Sequence, residues 1–286
     1  MAERVRRRNL TDALLGSWGA VVFIFLFLPI AVIVAYSFNN GRLLASFDEF
    51  GTDAYASGLQ NNVIIASVMT SLKAAAGTAV LATVLGTCGG IALARAPKGS
   101  KWPFALTALL ALTLVTPEIV DGISMLPWFV TLGVDGGMGL FNNGLFRLVI
   151  SHTAFSTAIV TFIIRARMAG IDRSLEEAAE DLGATKWRSF RDITLPLAGP
   201  GILAGGLMAF TLSLDNTILS SFVQQPGYTP WPVYIFSAVR VALRPEVAAI
   251  STVMLLLTLL ALALVGLVLK RSGNSSSEIV KTMAGS

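Results

Sequence analysis

Four ionisable side chains interrupt the long apolar stretches of this chain, at Lys73, Glu118, Asp121 and Asp215, and Asn216 follows the last of them. A charged side chain near the centre of a membrane-spanning helix costs about 2.5–3.5 kcal/mol, so such residues are functional candidates by default. Glu118 and Asp121 share one face if their segment is helical. Three carboxylates that face one cavity suit a cationic substrate. We therefore predict that Glu118, Asp121, Asp215 and Asn216 belong to a substrate pathway.

Each of these residues also has a structural interpretation. The first two acids can lie near the outer surface and pair with Arg147, and this alternative has equal weight. Asp215 can form a structural ion pair with Lys73, although the pathway role is favoured. His152 is the single histidine, so no histidine cluster is available for a metal, and we expect it to be a buried packing residue with satisfied ring nitrogens.

A polar segment between two apolar ones is the second candidate site. It contains Glu177-Ala178-Ala179, then Gly183, then Ile193-Thr194-Leu195-Pro196. Ser174 and Glu177 fit a capping box at the start of a helix, and Gly183 is expected to end that helix or to permit a close contact. Small residues beside charges give a shallow surface that another protein can contact. The alternative is a helix on lipid headgroups, which its acidic first half disfavours because anionic headgroups attract basic helices.

The elements that position these residues are membrane-spanning helices. The chain has 286 residues, of which 54% are hydrophobic and 13% are charged, whereas soluble domains carry about 25% charged residues. About 20 apolar residues cross a bilayer as a helix. Six runs reach that length, near 18–38, 62–94, 104–131, 146–168, 197–222 and 247–269. We predict an all-α polytopic membrane protein with six transmembrane helices, the third of them kinked at Pro117 and Pro127.

The distribution of positive charge predicts the orientation. Sixteen of the 21 Lys and Arg residues fall before residue 9, in 95–101, in 165–191 or after residue 269. Because cytoplasmic loops carry the excess of Lys and Arg, both termini and the Glu177 segment are predicted to be cytoplasmic. The membrane thus explains the net charge of +4, and no nucleic-acid partner is expected. The predicted organisation is a cytoplasmic segment at 1–17, a transmembrane domain at 18–271 with a cytoplasmic loop at about 170–196, and a disordered tail at 272–286.

The spacing in the polar segment carries a family resemblance. Glu177-Ala178-Ala179, Gly183, Ile193 and Leu195-Pro196 match every defined position of the EAA loop of binding-protein-dependent ABC importer permeases, which have a type I, MetI-like fold. The resemblance implies that the loop forms a coupling helix that enters a cleft on a separate ATPase. Glu177 would supply a charge contact there, while Ala178, Ala179 and Gly183 would allow close approach. Ile193, Leu195 and Pro196 complete the implied coupling set.

The resemblance also implies an assembly in the bacterial inner membrane. Its members would be this chain, a second permease in a heterodimer, two ABC ATPase subunits and an extracytoplasmic solute-binding protein. The sequence has no Gly-x-x-x-x-Gly-Lys-Ser/Thr phosphate loop. We therefore expect a transport subunit that is not an enzyme and binds no cofactor, with ATP and Mg²⁺ used by the partner ATPase.

A finer resemblance bears on the substrate. Thr116-Pro117-Glu118-Ile119, Ser213-Leu214-Asp215-Asn216, Ser221-Phe222-Val223 and Pro245-Glu246 are similar to the spermidine/putrescine permease branch. Members of that branch often have two acids where this chain has Asp215-Asn216. The implied substrate is putrescine, spermidine or a related small organic cation, and related branches carry ferric iron, sulfate or molybdate. A further alternative is an ion-coupled secondary transporter, which predicts internal symmetry that the sequence lacks.

Overall fold

The computed structural model describes residues 2–44, 46–97 and 99–271. Across those ranges the chain is helical, apart from connecting segments and one isolated β-bridge between Asn39 and Phe50. The helices are α1 (Ala2–Tyr36), α2 (Asp53–Gln60), α3 (Asn62–Ala94), α4 (Trp102–Val115), α5 (Glu118–Val130), α6 (Gly144–Ala169), α7 (Ser174–Asp181), α8 (Lys186–Ser189), α9 (Leu195–Asp215), α10 (Ile218–Val223), α11 (Trp231–Val241) and α12 (Pro245–Arg271). The tail predicted to be disordered, 272–286, lies outside the described residues.

Three short turns with 3₁₀ or π geometry adjoin these helices. A π-helical turn, Thr131–Asp135, follows α5, and a 3₁₀ turn, Gly139–Asn142, precedes α6. A second π-helical turn, Phe190–Thr194, runs directly into α9. π-helical turns are rare and frequently occur at functional sites. The start of α9 is therefore a candidate functional position.

The membrane-spanning architecture agrees with the sequence. Five helical segments are long and apolar enough to cross a membrane: Leu15–Tyr36, Asn62–Ala94, Gly144–Ala169, Lys186–Asp215 and Pro245–Ala263. The pair formed by α4 and α5 meets the same criteria together and makes the sixth. The prediction of an all-α membrane protein with six spans is confirmed, provided that this pair counts as one span.

The third span differs from its prediction. The expected single kinked helix over 104–131 is wrong, because α4 and α5 meet at a bend of 102°. Thr116 and Pro117 are both extended at the break, with ψ of 128° and 133°. Proline lacks a backbone donor and pushes the preceding residue out of the helical region, which accounts for a break at this point. Pro127 lies inside α5 and does not interrupt it.

The end of the fifth span also differs from its prediction. The fifth run was predicted to continue to residue 222, but α9 ends at Asp215 and α10 begins only at Ile218. At the N-terminus, α1 begins at Ala2 and continues through residue 17 to Tyr36. None of the residues in the apolar segment 15–36 is buried. Large apolar side chains are exposed along the length of this segment.

One compact unit consists of the residues up to Asn62 together with Ala238–Leu257. The loop after α1 is ordered by Asn39, whose side chain is fully buried. Its amide oxygen accepts from the backbone N–H of Gly41 at 3.1 Å and of Asp48 at 3.0 Å. Its amide nitrogen donates to the Ser46 carbonyl at 2.8 Å.

The second unit contains Val63–Ser237 and the chain from Thr258 onward, and α6 lies at its centre. One cluster of buried side chains joins α6 to α3 and α9: Ala82, Val160, Ile164, Met168, Ala198 and Ala209. Another joins α6 to α3, α5 and α10: Ala74, Phe129, Leu148, Leu219 and Val223. Helix α6 therefore packs against α3, α5, α9 and α10, among them the helices that carry the candidate acids Glu118, Asp121 and Asp215.

Glycines on both neighbours let their backbones approach α6 closely. A Cβ at Gly86 of α3 would lie 2.6 Å from the Val160 Cβ, and one at Gly205 of α9 would lie 2.9 Å from a Val160 methyl. A Cβ at Gly90 would lie 2.6 Å from the Ile164 Cβ. Small residues are favoured at such contacts in membranes because van der Waals packing, rather than hydrophobic burial, holds the helices together.

We predict that Gly90→Ala destabilises the protein. The new methyl group would meet the Ile164 Cβ at 2.6 Å and the Thr161 carbonyl oxygen at 2.8 Å, and overpacking costs about 1–3 kcal/mol. The matched control is Gly199→Ala on α9, where no atom lies within 4 Å. Thermal unfolding of the detergent-solubilised chain should show a lower Tm for Gly90→Ala only; equal Tm values for the two variants would contradict the close packing.

Candidate docking surface and acidic cluster

The hydrogen bonding at the start of α7 differs from the predicted capping box. The helix begins at Ser174, and the described residues show no side-chain cap at its N-terminus, so the capping box of Ser174 and Glu177 is wrong. Instead Asp172, two residues upstream, accepts from the Ser174 backbone N–H at 2.9 Å. The backbone and side-chain hydrogen bonds from Ser174 hold the pKa of the Asp172 carboxyl below its usual value.

Glu177 projects from the outer face of α7. Its side chain is 67% exposed and lies 3.4 Å from the Arg173 guanidinium, one turn earlier. Exposed pairs of this kind contribute little to stability, about 0.3–0.5 kcal/mol. The carboxylate is therefore accessible to another protein without a large loss of stability in this chain.

The end of α7 matches its prediction. Gly183 has φ of +85°, in the left-handed region that favours glycine. Its N–H donates to the Glu180 carbonyl, and the Ala184 N–H donates to the Ala179 carbonyl, both at 2.9 Å. A Cβ at Gly183 would meet nothing within 4 Å, so within this chain the glycine is needed for the turn rather than for space.

A groove of about 310 Å³ runs beside α7. Its lining includes three of the residues that the resemblance assigns to coupling, Ala179, Gly183 and Ile193. Two large apolar side chains stand out nearby: Leu182 is 89% exposed, and Trp187 is 69% exposed while stacking on Phe190. Exposed apolar groups in an otherwise polar segment mark interaction sites.

We call this region the docking surface; it comprises Glu177, Ala178, Ala179, Leu182, Gly183, Trp187 and Ile193. The predicted coupling set did not include Leu182 or Trp187. The available signals were the helical spacing that places Leu182 on one narrow apolar face with Leu175, Ala178 and Ala179, and a tryptophan in an otherwise polar segment. Leu195 and Pro196 open α9 and are exposed as well, and Pro196 is tolerated there because the first helical turn has no partner for its missing N–H.

Glu176 is a functional candidate that the sequence reasoning passed over. One of its carboxylate oxygens accepts from Arg95 Nε at 3.2 Å and from Arg95 Nη2 at 3.0 Å. The same oxygen accepts from Thr194 Oγ1 at 2.7 Å. Only 17% of the Glu176 side chain and 19% of the Arg95 side chain are exposed. No local pattern marks this contact, because Arg95 is 81 residues away along the chain.

The three predicted acids come together at the break in the third span. Glu118 and Asp121 occupy the first turn of α5, where the positive end of the helix dipole stabilises carboxylates. Asp215 is the last residue of α9, where the dipole is unfavourable for an acid. The carboxylates of Asp121 and Asp215 both act electrostatically on that of Glu118. We call these three residues the acidic cluster.

The basic residues considered as partners lie elsewhere. The Arg147 guanidinium donates to the Phe141 carbonyl and lies 5.5 Å from the centroid of the Phe129 ring. Among the described residues there is no ion pair between Arg147 and either acid of α5, or between Lys73 and Asp215. The acidic cluster is therefore not neutralised by these basic side chains.

Asn216 and His152 belong to a buried polar layer next to the acidic cluster. Asn216 is only 9% exposed, and its side-chain oxygen accepts from the Ser220 N–H at 3.1 Å. The His152 ring contacts Ser213 Oγ at 2.7 Å through Nδ1 and Ser220 Oγ at 2.9 Å through Nε2. The prediction of a buried histidine with both nitrogens satisfied is confirmed. The structure thus separates Asn216, which is hydrogen-bonded to Ser220 of α10, from its exposed neighbour Asp215.

Known proteins are similar to this chain in sequence. The family described as binding-protein-dependent transport system inner membrane component matches residues 86–273. The putrescine transport system permease protein PotI of Escherichia coli is 39% identical over 236 residues, which cover 82% of each chain. The spermidine/putrescine transport system permease protein PotC of Haemophilus influenzae is 34% identical over 254 residues, covering 89% of this chain and 95% of that one.

Solved structures agree on the fold. A chain in the crystal structure of a bacterial alginate ABC transporter with its alginate-pentasaccharide-bound periplasmic protein superposes with a TM-score of 0.69 at 15% identity, covering 94% of this chain and 96% of that one. A chain of an amino acid ABC transporter superposes with a TM-score of 0.51 at 20% identity, covering 76% and 98%. The chain therefore belongs to the family of binding-protein-dependent transport system inner membrane components, as an ABC transporter permease subunit with the type I, MetI-like fold.

Proposed function

We propose that this chain forms half of the membrane pathway of an ABC importer for polyamines, with putrescine or spermidine as substrate. The observation that supports the substrate class is the acidic cluster. Glu118 lies within electrostatic range of both Asp121 and Asp215, and no ion pair neutralises these three acids within the described residues. Two relatives that are at least 34% identical over most of the chain are named for putrescine or spermidine/putrescine transport.

The chemistry of the cluster fits an extended polycation. Protonated amines need acceptor oxygens to replace the water that they lose, and charge-assisted hydrogen bonds to carboxylates supply them. Like charges held together raise the energy of the empty site, and a bound cation relieves that repulsion. Oxyanions such as sulfate or molybdate would add to it instead.

Of the three acids in the acidic cluster, Asp215 is the most accessible to substrate. It is exposed at the end of α9, whereas its neighbour Asn216 is buried and engaged with Ser220. We assign Asn216 to the pathway as the residue that fixes the turn after Asp215. An acid at the C-terminal end of a helix is disfavoured by the dipole, and such local cost is typical of functional positions.

The docking surface is proposed to bind a cytoplasmic ABC ATPase. In this assignment Glu177 makes a charge contact, Ala178, Ala179 and Gly183 let the ATPase approach closely, and Ile193 contributes to the groove that receives it. Leu195 and Pro196 continue the surface into α9. Both termini would be cytoplasmic, as the distribution of Lys and Arg predicts.

The complete importer would contain a second permease, two ATPase subunits and an extracytoplasmic solute-binding protein. ATP and Mg²⁺ would act on the ATPase subunits, whose closure draws the two coupling helices together. Nucleotide can drive transport only if it favours one of the inward-open and outward-open states over the other.

We predict that Asp215→Asn raises the KM for putrescine uptake about tenfold, because a charge-assisted hydrogen bond contributes about 1.5–3 kcal/mol. Glu118→Gln should act in the same direction. Uptake of labelled putrescine is measured in cells that lack other polyamine importers. The control is Asp135→Asn, which neutralises an exposed acid outside the acidic cluster. An unchanged KM for Asp215→Asn excludes this residue, and no putrescine uptake by the assembled wild-type importer excludes the substrate.

We also predict that Glu177→Gln weakens ATPase binding without unfolding α7. The ion pair to Arg173 is exposed, so its loss changes stability by no more than about 0.5 kcal/mol. Co-purification of the ATPase should fall while the Tm of the permease stays at the wild-type value. Glu180→Gln removes an exposed charge from the same helix and serves as the control. Equal ATPase recovery from both variants would mean that Glu177 is not the contact.

A further inference from the structure

A force applied at the docking surface has few routes into the membrane-spanning helices. Helix α7 has eight residues. At its C-terminal end the chain turns through Gly183 in a left-handed conformation. At its N-terminal end only the segment 170–173 separates it from α6. Short links of this kind join the elements without fixing their relative orientation, so a side-chain contact is needed to make α7 move with its neighbours.

Glu176 supplies such a contact. A single carboxylate oxygen accepts hydrogen bonds from two nitrogens of Arg95, at 3.2 and 3.0 Å, and from the Thr194 hydroxyl at 2.7 Å. Less than one fifth of each charged side chain is exposed. Partial burial weakens the competition from water and from salt, so this pair is stronger than an ion pair on the surface.

The two donors belong to the ends of two spans. Arg95 directly follows α3, and its N–H donates to the Ile91 carbonyl at 2.9 Å, which continues the helical ladder. Thr194 is buried and is the last residue of the π-helical turn that runs into α9. One oxygen of α7 therefore holds both α3 and α9.

The neighbouring glutamate shows that this arrangement is specific to one position. Glu177 is 67% exposed and pairs only within α7, with Arg173. In the part of the chain that the structure describes, Glu176 is the residue of α7 whose side chain makes a hydrogen bond to Arg95 or Thr194. The two adjacent acids thus face different neighbours, one outward and one toward the spans.

We propose that Glu176 is a positioning residue that locks the docking surface to α3 and α9, so that displacement of α7 by the ATPase moves both helices together. This inference rests on the proposed function, since it assumes that an ATPase acts on α7. It assigns to Glu176, Arg95 and Thr194 the transmission of that movement. The ATPase contact itself stays with Glu177 and the rest of the docking surface.

The test measures transport per ATP hydrolysed. The whole importer is reconstituted in proteoliposomes with its ATPases and solute-binding protein, and labelled putrescine uptake and phosphate release are followed together. Glu176→Ala should assemble with the ATPases and hydrolyse ATP, yet its putrescine uptake per ATP should fall about tenfold, as expected for loss of a charge-assisted contact. Glu180→Ala, on the same helix, should keep the wild-type ratio.

Charge exchange separates transmission from simple folding support. The double variant Arg95→Glu with Glu176→Arg restores an ion pair between the same positions, and it should recover most of the coupling that each single variant loses. If Glu176→Ala does not assemble, Glu176→Gln, which keeps the acceptor oxygen but not the charge, should show a reduced ratio. A wild-type ratio in an assembled Glu176 variant, or a double variant as poor as the single ones, would overturn the proposal. Absence of putrescine uptake or of ATPase binding by the wild-type chain would instead contradict the proposed function.

Discussion

The packing of two α6 side chains between glycines underlies the rest of the second unit. Val160 contacts Gly86 of α3 on one side and Gly205 of α9 on the other, and Ile164 contacts Gly90. Apolar side chains gain little from leaving lipid for the protein interior, so the helices stay together through close van der Waals contact. Replacing hydrogen by a methyl group at these glycines removes that closeness. Helix α6 is thereby fixed against α3 and α9. Through its second cluster of buried side chains it also packs against α5 and α10.

Helix α6 lies between the two candidate sites in the chain and packs against the helices that carry the acidic cluster. Beyond its C-terminus the chain continues into α7 and the docking surface. Toward its N-terminus, His152 contacts Ser213 of α9 and Ser220 of α10. Those two serines flank Asp215 in the sequence, so the buried histidine fixes the turn from which Asp215 projects. An unsatisfied polar group costs free energy inside a membrane, and both ring nitrogens of His152 have a hydrogen-bond partner.

Local patterns in the sequence predicted the elements better than the contacts between them. Helical spacing and composition predicted the spans, Pro117 predicted a disruption of the third, and Gly183 predicted the end of α7. The size of the bend at Pro117 was not predictable, because it depends on what α5 packs against after the break. The capping box failed because Asp172 competes for the Ser174 N–H at shorter sequence range. The contact of Glu176 with Arg95 was invisible, since nothing local relates residues 81 positions apart.

Helix α9 joins the two sites physically. Thr194, at its start, donates to Glu176 beside the docking surface, and Asp215, at its end, belongs to the acidic cluster. In the proposed function, repulsion among the carboxylates of the acidic cluster opposes a close approach of Asp215 to Glu118, and binding of a cation removes that opposition. Substrate and ATPase therefore act, in this proposal, at opposite ends of the same helix. Their effects on its position must be reciprocal in free energy, because two ligands that bias one equilibrium change each other's binding by the same factor.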